Sequence, residues 1–291
     1  MIKIAEYAGL CSGVCYSLSQ LEKAIYDNPD RTIAMYGPIV HNESVLRNYS
    51  HKGVKLIHSH YDKNIDMIDI VVTRAHGILK QDYQSLLEKK FMVIDGSCPK
   101  INKIKRVVIH DSNAGMTIIY YGKKDHPETQ HILSNIPKKY HFISGIEDIE
   151  DIRFTDDLYS LYCQTTMNKE KFDDISDRVS RKHPNMEINN CICKATRERQ
   201  EAAEKLAKEV EFMIVIGGRQ SSNTKELYNI CRNHTFTILV HDSLEVQDLG
   251  ILKTYAKQFH DKRIGITAGA STPDYEIDYI LNEIKNHMKL L

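Results

Sequence analysis

Cys11, Cys98 and Cys193 recur at nearly even intervals along a chain of 291 residues. Gly9 and Gly13 flank the first, Pro99 follows the second, and the third closes Cys191-Ile192-Cys193. Glycine and proline at these places describe tight loops rather than apolar faces, and a thiol in a loop is available to a soft metal. Spacing alone favours the blander reading, in which a widely separated cysteine is a small buried apolar residue. Two residues of extended chain two apart point the same way, so only one of Cys191 and Cys193 is needed as a ligand. Cys15, Cys163 and Cys231 fall inside helical or strand patterns and read as core. The odd total of seven cysteines stands behind an N-terminus that opens on a short apolar run, not on a basic leader with a long hydrophobic stretch. That combination favours reduced thiols or metal ligands over a disulfide framework, and the cytoplasm as the expected compartment.

His41, His76 and His126 stand apart from most of the 14 histidines, because each ends a predicted strand beside Asn42, Gly77 or Pro127. With Ser221, Asn223 and Ser271 they would form a donor-rich, neutral-to-cationic pocket suited to a phosphate or diphosphate. The competing reading is a set of unrelated loop residues. Ser221-Ser222-Asn223 follows Ile214-Val215-Ile216-Gly217-Gly218 and precedes a helical segment from Lys225 to Arg232. Strand, glycine turn, hydroxyl loop and helix N-terminus, in that order, make an anion-binding arrangement. The Gly-Lys-Ser/Thr signature of a P-loop is missing, and no glycine run matches a dinucleotide fingerprint.

The elements that must position these residues alternate between short β-branched runs and longer amphipathic segments, which predicts an α/β protein with parallel strands. Strands are expected at Ile2 to Glu6, Thr32 to Tyr36, Ile68 to Thr73, Phe91 to Ile94, Met116 to Tyr121, Leu158 to Tyr162, Phe212 to Ile216, Phe236 to Val240 and Arg263 to Thr267. Helices are expected from Cys15 to Tyr26, with Leu18, Leu21 and Ile25 inward, and from about Glu198 to Glu211, with Ala202, Leu206 and Val210 inward. In parallel sheets ligands collect beyond the carboxyl ends of strands, where most of the singled-out polar residues fall. The cysteine spacing hints at three similar α/β units, residues 12–97, 98–192 and 193–291, joined by an N-terminal strand over 1–11, although no sequence repeat is detectable. Acidic and basic residues balance at 39 each, so no overall field draws the chain to nucleic acid or to an anionic membrane surface. No apolar run approaches the roughly 18 to 20 residues that span a bilayer.

Taken together, the motifs resemble the 4-hydroxy-3-methylbut-2-enyl diphosphate reductase family, also called IspH or LytB, along essentially the full chain. In the family's order they are Cys11-Ser12-Gly13-Val14, Val40-His41-Asn42, Ala75-His76-Gly77, Ser97-Cys98-Pro99 and His126-Pro127-Glu128. They continue with Gln164-Thr165-Thr166, Cys193-Lys194-Ala195-Thr196 with Arg199-Gln200, Ser221-Ser222-Asn223, and Thr267-Ala268-Gly269-Ala270-Ser271. The resemblance implies a trefoil of three α/β units around a central 4Fe-4S cluster, with Cys11, Cys98 and Cys193 each binding one iron and the fourth iron open to substrate. It implies that His41, His76, Ser221, Asn223 and Ser271 hold the substrate diphosphate, with His126, Thr166 and Ser222 beside them. Glu128 matches the proton donor and Thr165 the hydroxyl that positions substrate. The implied reaction removes an allylic hydroxyl reductively, giving isopentenyl and dimethylallyl diphosphates, with electrons from an external donor such as ferredoxin or flavodoxin. Hydroxide leaves badly, so such a reaction needs a metal to bind its oxygen and an acid to protonate it. Desolvation would raise the pKa of Glu128 toward that task; a structural cap after Pro127 is its alternative role.

The chain departs from the family's usual residues around these positions. Tyr7-Ala8-Gly9-Leu10 replaces Pro-Arg-Gly-Phe, and Asp95-Gly96-Ser97 replaces Asp-Ala-Thr. Lys105 replaces a histidine, and Thr129-Gln130-His131 replaces a Val/Ile-Glu-Gly type of continuation. Lys194 and Arg197 are also unusual. Every implied ligand and clamp residue is spared, while the surrounding shell changes. Two other functions therefore stand beside the reductase: a paralogue acting on a different phosphorylated or acidic substrate, and a non-catalytic iron-sulfur sensor. A sensor would need neither Glu128 nor Thr165.

Overall fold

The computed structural model describes residues 1–62, 65–89, 91–155, 158–243, 245–246 and 262–289. In chain order its elements begin with β1 (Ile2–Ile4), α1 (Ser12–Asp27), β2 (Ile33–Tyr36), α2 (Glu43–His51), β3 (Lys55–Ile57), β4 (Ile70–Thr73), α3 (Lys80–Glu88) and β5 (Met92–Ile94). They continue with α4 (Pro99–Asn113), β6 (Thr117–Tyr121), α5 (Pro127–Leu133), β7 (Tyr140–Ile143), β8 (Tyr159–Cys163), α6 (Lys169–Lys182) and β9 (Glu187–Ile188). The last are α7 (Lys194–Glu209), β10 (Phe212–Ile216), α8 (Ser222–Arg232), β11 (Phe236–Val240), β12 (Ile264–Ala268) and α9 (Asp274–Lys289). No helix among the described residues is long and apolar enough to cross a membrane.

The chain is α/β, with three four-stranded parallel sheets distributed over two compact units. One unit, Tyr16–Ile39 with Gly53–Cys193, holds the sheets ordered β3-β2-β4-β5 and β7-β6-β8-β9. The other, Met1–Cys15, Val40–Lys52 and Lys194–Leu291, holds the sheet ordered β1-β12-β10-β11. Every residue of β2, β4, β8, β10 and β12 is buried, as expected for central strands covered on both faces, where an unbroken apolar run replaces alternation. Helical periodicity supplies the covering faces. Phe172, Ile175 and Val179 of α6 pack on β6 and β8, while Ile277, Ile280 and Ile284 of α9 pack on β10 and β12.

All nine expected strands occur, with ends shifted by at most two residues. The structure adds β3, β7 and β9, all at sheet edges. These are short and partly solvent-facing: Lys55, Leu56, Tyr140, Glu187 and Ile188 are exposed, so no apolar run marks them. The three expected helical segments all start earlier, α1 at Ser12, α7 at Lys194 and α8 at Ser222. The first two turns of α7 carry no apolar stripe, because Thr196, Arg199 and Gln200 are the buried residues there. Cys15 corrects the reading that made it core. It is exposed, since α1 buries the line through Gly13, Ser17, Leu21 and Ala24 instead. Cys163 and Cys231 are buried as expected.

Candidate active site

In the two-sheet unit, the loop after β6 delivers His126, Pro127 and Glu128. Proline at the first helical position of α5 fixes the turn without sacrificing a needed donor. His126 caps the helix: its Nδ1 accepts the Glu128 N–H at 3.2 Å, so the neutral ring carries its proton on Nε2. Glu128 is 0% exposed. One carboxylate oxygen accepts the Thr165 N–H at 2.6 Å, and the other accepts the Thr165 hydroxyl at 2.7 Å. Burial pushes the Glu128 carboxyl up to about 7, and the two Thr165 hydrogen bonds offset only part of that rise.

Thr165 follows β8 and is held from both sides. Its carbonyl accepts the Cys193 N–H at 3.1 Å, which fixes Cys193 against the same loop. Gln164, fully buried, uses Oε1 to accept the Lys123 N–H and the Thr129 hydroxyl, and Nε2 to donate to Thr166 at 2.7 Å. His76 lies edge-on to His126, with ring centroids 5.1 Å apart at 88°. The turn after His76 needs a glycine: Gly77 has φ +76°, and a Cβ there would fall on the His131 ring. That ring approaches the Ile78 carbonyl through Nδ1 at 2.5 Å, and a carbonyl can only accept, so Nδ1 carries the proton. Burial and the positive charge of Lys105 and Arg74 press the His131 pKa down to about 4, against the carbonyl and Asp95.

Cys98 is the N-cap of α4, and its N–H bonds the Ala75 carbonyl at 2.8 Å, next to His76. Asp95 shapes this loop by accepting from the Ser97 N–H, the Thr73 hydroxyl and the Asn102 amide. Lys100, in the first turn of α4, donates to the Cys193 sulfur at 3.3 Å. This unit therefore gathers Cys98, Cys193, His76, His126, Glu128, Thr165 and Thr166.

In the single-sheet unit, Cys11 immediately precedes α1; its N–H bonds the Ala270 carbonyl at 3.1 Å, and its sulfur accepts the Val14 N–H at 3.4 Å. Ser271, one residue on from Ala270, donates its hydroxyl to the His41 carbonyl at 3.1 Å. Gly218 passes so close to that carbonyl that any Cβ would collide with it. Ser221 then caps α8, accepting the Thr224 N–H at 3.2 Å, with Ser222 and Asn223 buried in the first turn. Asn223 is 3% exposed, yet neither its Oδ1 nor its Nδ2 has a hydrogen-bond partner. A buried amide with both ends unmet is costly, and an incoming polar ligand would relieve it. This unit gathers Cys11, His41, Ser221, Ser222, Asn223 and Ser271.

Four positions that the sequence reading gave no role in the site support it here. Arg199, 2% exposed, donates to the Gly9 and Ala195 carbonyls and so braces the loop before Cys11; the motif after Cys193 includes it, but its partners lie beyond local sequence. Lys100, Asp95 and His131 act through contacts that no local pattern encodes.

A family model described as LytB protein matches residues 2–285. The 4-hydroxy-3-methylbut-2-enyl diphosphate reductase of Clostridioides difficile strain 630 is 36% identical, covering 98% of this chain and 99% of its own length. That of Alkaliphilus oremlandii strain OhILAs is 32% identical over 98% and 99%. A solved structure described as (E)-4-hydroxy-3-methyl-but-2-enyl diphosphate reductase, the terminal enzyme of the non-mevalonate pathway, aligns with a TM-score of 0.70 at 31% identity, covering 98% and 99%. The Plasmodium falciparum reductase structure aligns with a TM-score of 0.86 at 26% identity, covering 97% and 87%. With its motifs in order and the match running nearly end to end, the chain belongs to the LytB family.

Proposed function

We propose that this chain catalyses the reductive removal of the allylic hydroxyl of 4-hydroxy-3-methylbut-2-enyl diphosphate, giving isopentenyl and dimethylallyl diphosphates. The observation that carries the reading is Glu128, fully buried, gripped by Thr165 on both oxygens and raised to about 7. A carboxyl so placed keeps a protonated fraction near neutral pH and can deliver it to a departing hydroxyl. Cys11, Cys98 and Cys193, one from each of the blocks 12–97, 98–192 and 193–291 or the strand leading into them, would hold a 4Fe-4S cluster. The donor set suits it: each cysteine sits at the first turn of a helix, and two of the sulfurs already accept N–H hydrogen bonds, from Val14 and from Lys100. When bound, the cluster supplies an electron-rich iron with an open position to take the substrate oxygen.

The remaining work falls to the chain's own residues. Thr165 orients the Glu128 carboxyl through its amide and hydroxyl, and the family resemblance makes that hydroxyl the one that would position the substrate. His126 presents Nε2–H, and His76 stacks against its edge. Asn223, with its amide unmet, would join His41, His76, Ser221, Ser222 and Ser271 in holding the diphosphate, and Thr166, which accepts from Gln164, is assigned to the same task. Electrons come from an external carrier such as ferredoxin or flavodoxin, and the cytoplasm, where seven free cysteines remain reduced, is the compartment we assign. The test is anaerobic reconstitution with iron and sulfide, a strong reductant, and measured loss of the hydroxylated isoprenoid diphosphate. Turnover to the two five-carbon diphosphates is expected. An intact cluster with no turnover would favour the sensor, and turnover of a different diphosphate alone would favour the paralogue.

A further inference from the structure

Two cysteines outside the proposed ligand set meet in the two-sheet unit. Cys163 ends β8 and is 0% exposed. Cys191 lies between β9 and α7, partly exposed, and packs on the core cluster that contains Cys163. Residues 189 to 193 run beside the end of β8: the Asn189 N–H bonds the Leu161 carbonyl at 2.9 Å, and the Cys193 N–H bonds the Thr165 carbonyl at 3.1 Å. Between those two fixed points Cys191 runs beside Cys163 and packs against the same core, and the Cys191 thiol donates to the Asn189 carbonyl at 3.4 Å. Adjacent parallel strands lie about 4.8 Å apart, inside the roughly 4.4 to 6.8 Å that a disulfide spans between Cα atoms. The backbone bonds at Asn189 and Cys193 keep residues 189 to 193 alongside the end of β8, so a bridge between the pair would join two neighbouring stretches of chain.

We propose that Cys163 and Cys191 form a reversible, peroxide-responsive dithiol, a modification site separate from the cysteines assigned to the cluster. Exposure sets the order of events. Peroxide meets Cys191 first, because that residue is partly exposed and Cys163 is fully buried. The peroxide O–O bond breaks, one oxygen joins sulfur as sulfenic acid, and the other leaves as water with the thiol proton. The Cys163 sulfur then attacks, the S–S bond forms, the S–O bond breaks, and the hydroxyl leaves as water with the Cys163 proton. Two thiols are oxidised by two electrons, and one peroxide is reduced to two waters. A dithiol reductant reverses the bond by exchange. The competing partner for Cys191 is Cys193, two residues away, but the Cys193 sulfur is turned to Lys100.

The test uses the full, cluster-reconstituted chain, treated with equimolar hydrogen peroxide, acid-quenched, alkylated in denaturant and digested without reductant. Mass mapping, with fragmentation to distinguish Cys191 from Cys193, should find a Cys163–Cys191 cross-link and a loss of two alkylatable thiols from this pair. Dithiothreitol should restore both. In Cys163→Ser the resolving thiol is gone, and dimedone should trap sulfenic acid at Cys191. The proposal is overturned if Cys191 links mainly to Cys193, or if Cys163 and Cys191 are both recovered alkylated while the exposed Cys15 is oxidised. The wild-type map needs no variant to fold, and it reads sulfur bonds alone, so it stands whether or not the chain turns over the isoprenoid diphosphate.

Discussion

At the scale of single residues, Glu128 and Asn223 separate chemistry from binding. Glutamine at 128 keeps the size and one acceptor for Thr165 but has no acidic proton, so Glu128→Gln should lower turnover at least about 100-fold, the usual scale of a lost general acid. Substrate affinity should change little, so a rate constant near wild type would remove Glu128 from the mechanism. In the wild type, turnover should decline as pH rises through about 7, where burial has set the Glu128 titration, and that limb should vanish from the residual activity of the variant. Asn223 predicts the opposite division. Its unmet amide has a buried place for a charged ligand, so Asn223→Ala should weaken diphosphate binding by about 1.5 to 3 kcal/mol, the worth of a hydrogen bond to a charged group. Calorimetry with the diphosphate and with its dephosphorylated alcohol reads this directly; equal loss for both ligands would mean that Asn223 is not part of an anion clamp.

Elements set these residues by where they begin. Five of the described helices open directly after a site residue: α1 after Cys11, α4 after Cys98, α5 after His126, α7 after Cys193 and α8 after Ser221. Parallel sheets send their strands' carboxyl ends to one side, and the helix that follows each loop presents unpaired N–H groups there. Helix and loop are also keyed to each other by size, as His131 of α5 is to Gly77. The family's usual continuation after the proton donor ends in glycine, whereas this chain places a ring there, over a glycine at φ +76°. Gly77→Ala should therefore lose stability twice, through strain of about 1 to 3 kcal/mol at a positive φ and through collision with the ring. Removing the ring in a Gly77→Ala, His131→Ala double variant should recover part of the loss, as unfolding midpoints from the four proteins of the cycle will read. Strict additivity would mean that the two positions do not interact.

For the molecule as a whole, burial of an acid has a cost that pH exposes. Folding raises the Glu128 pKa from 4.5 to about 7, so the folded state holds the proton more tightly than the unfolded chain. The associated stability is fully present below about 4.5 and is lost as pH rises through about 7. The unfolding free energy of wild type minus that of Glu128→Gln, measured by denaturant titration, should fall across this window; a difference that rises with pH would contradict the buried, proton-retaining carboxyl. The cluster makes a second demand on the whole chain, since its proposed ligands come from distant stretches. Serine at Cys11, Cys98 or Cys193 should collapse iron and sulfide content from about four of each per chain, the content of a cubane cluster. Serine at Cys15 or Cys231 should leave it intact. Full zinc occupancy without sulfide after anaerobic purification would exclude the cluster.

The α/β class, the nine principal strands and the order of the motifs were legible in the sequence, because unbroken apolar runs and loop glycines are local signals read over a few residues. Edge strands β3, β7 and β9 were not, since a strand that faces water on one side needs little apolar sequence to join a sheet whose other strands carry the core. Cys15 was misread for a related reason: periodicity gives the existence of a helical face but not which neighbour covers it. The sequence also nominated Glu128 and Thr165 by their motifs. Only the tertiary structure decided that a residue 37 positions away closes both oxygens of Glu128 and seals it from water. That burial, not the residue type, raises the acid into a useful range. The same holds for the burial of the unmet Asn223 amide, for the reach of Lys100 to Cys193 and for the packing of Cys191 on the core that holds Cys163, all of which only the packed chain brings about.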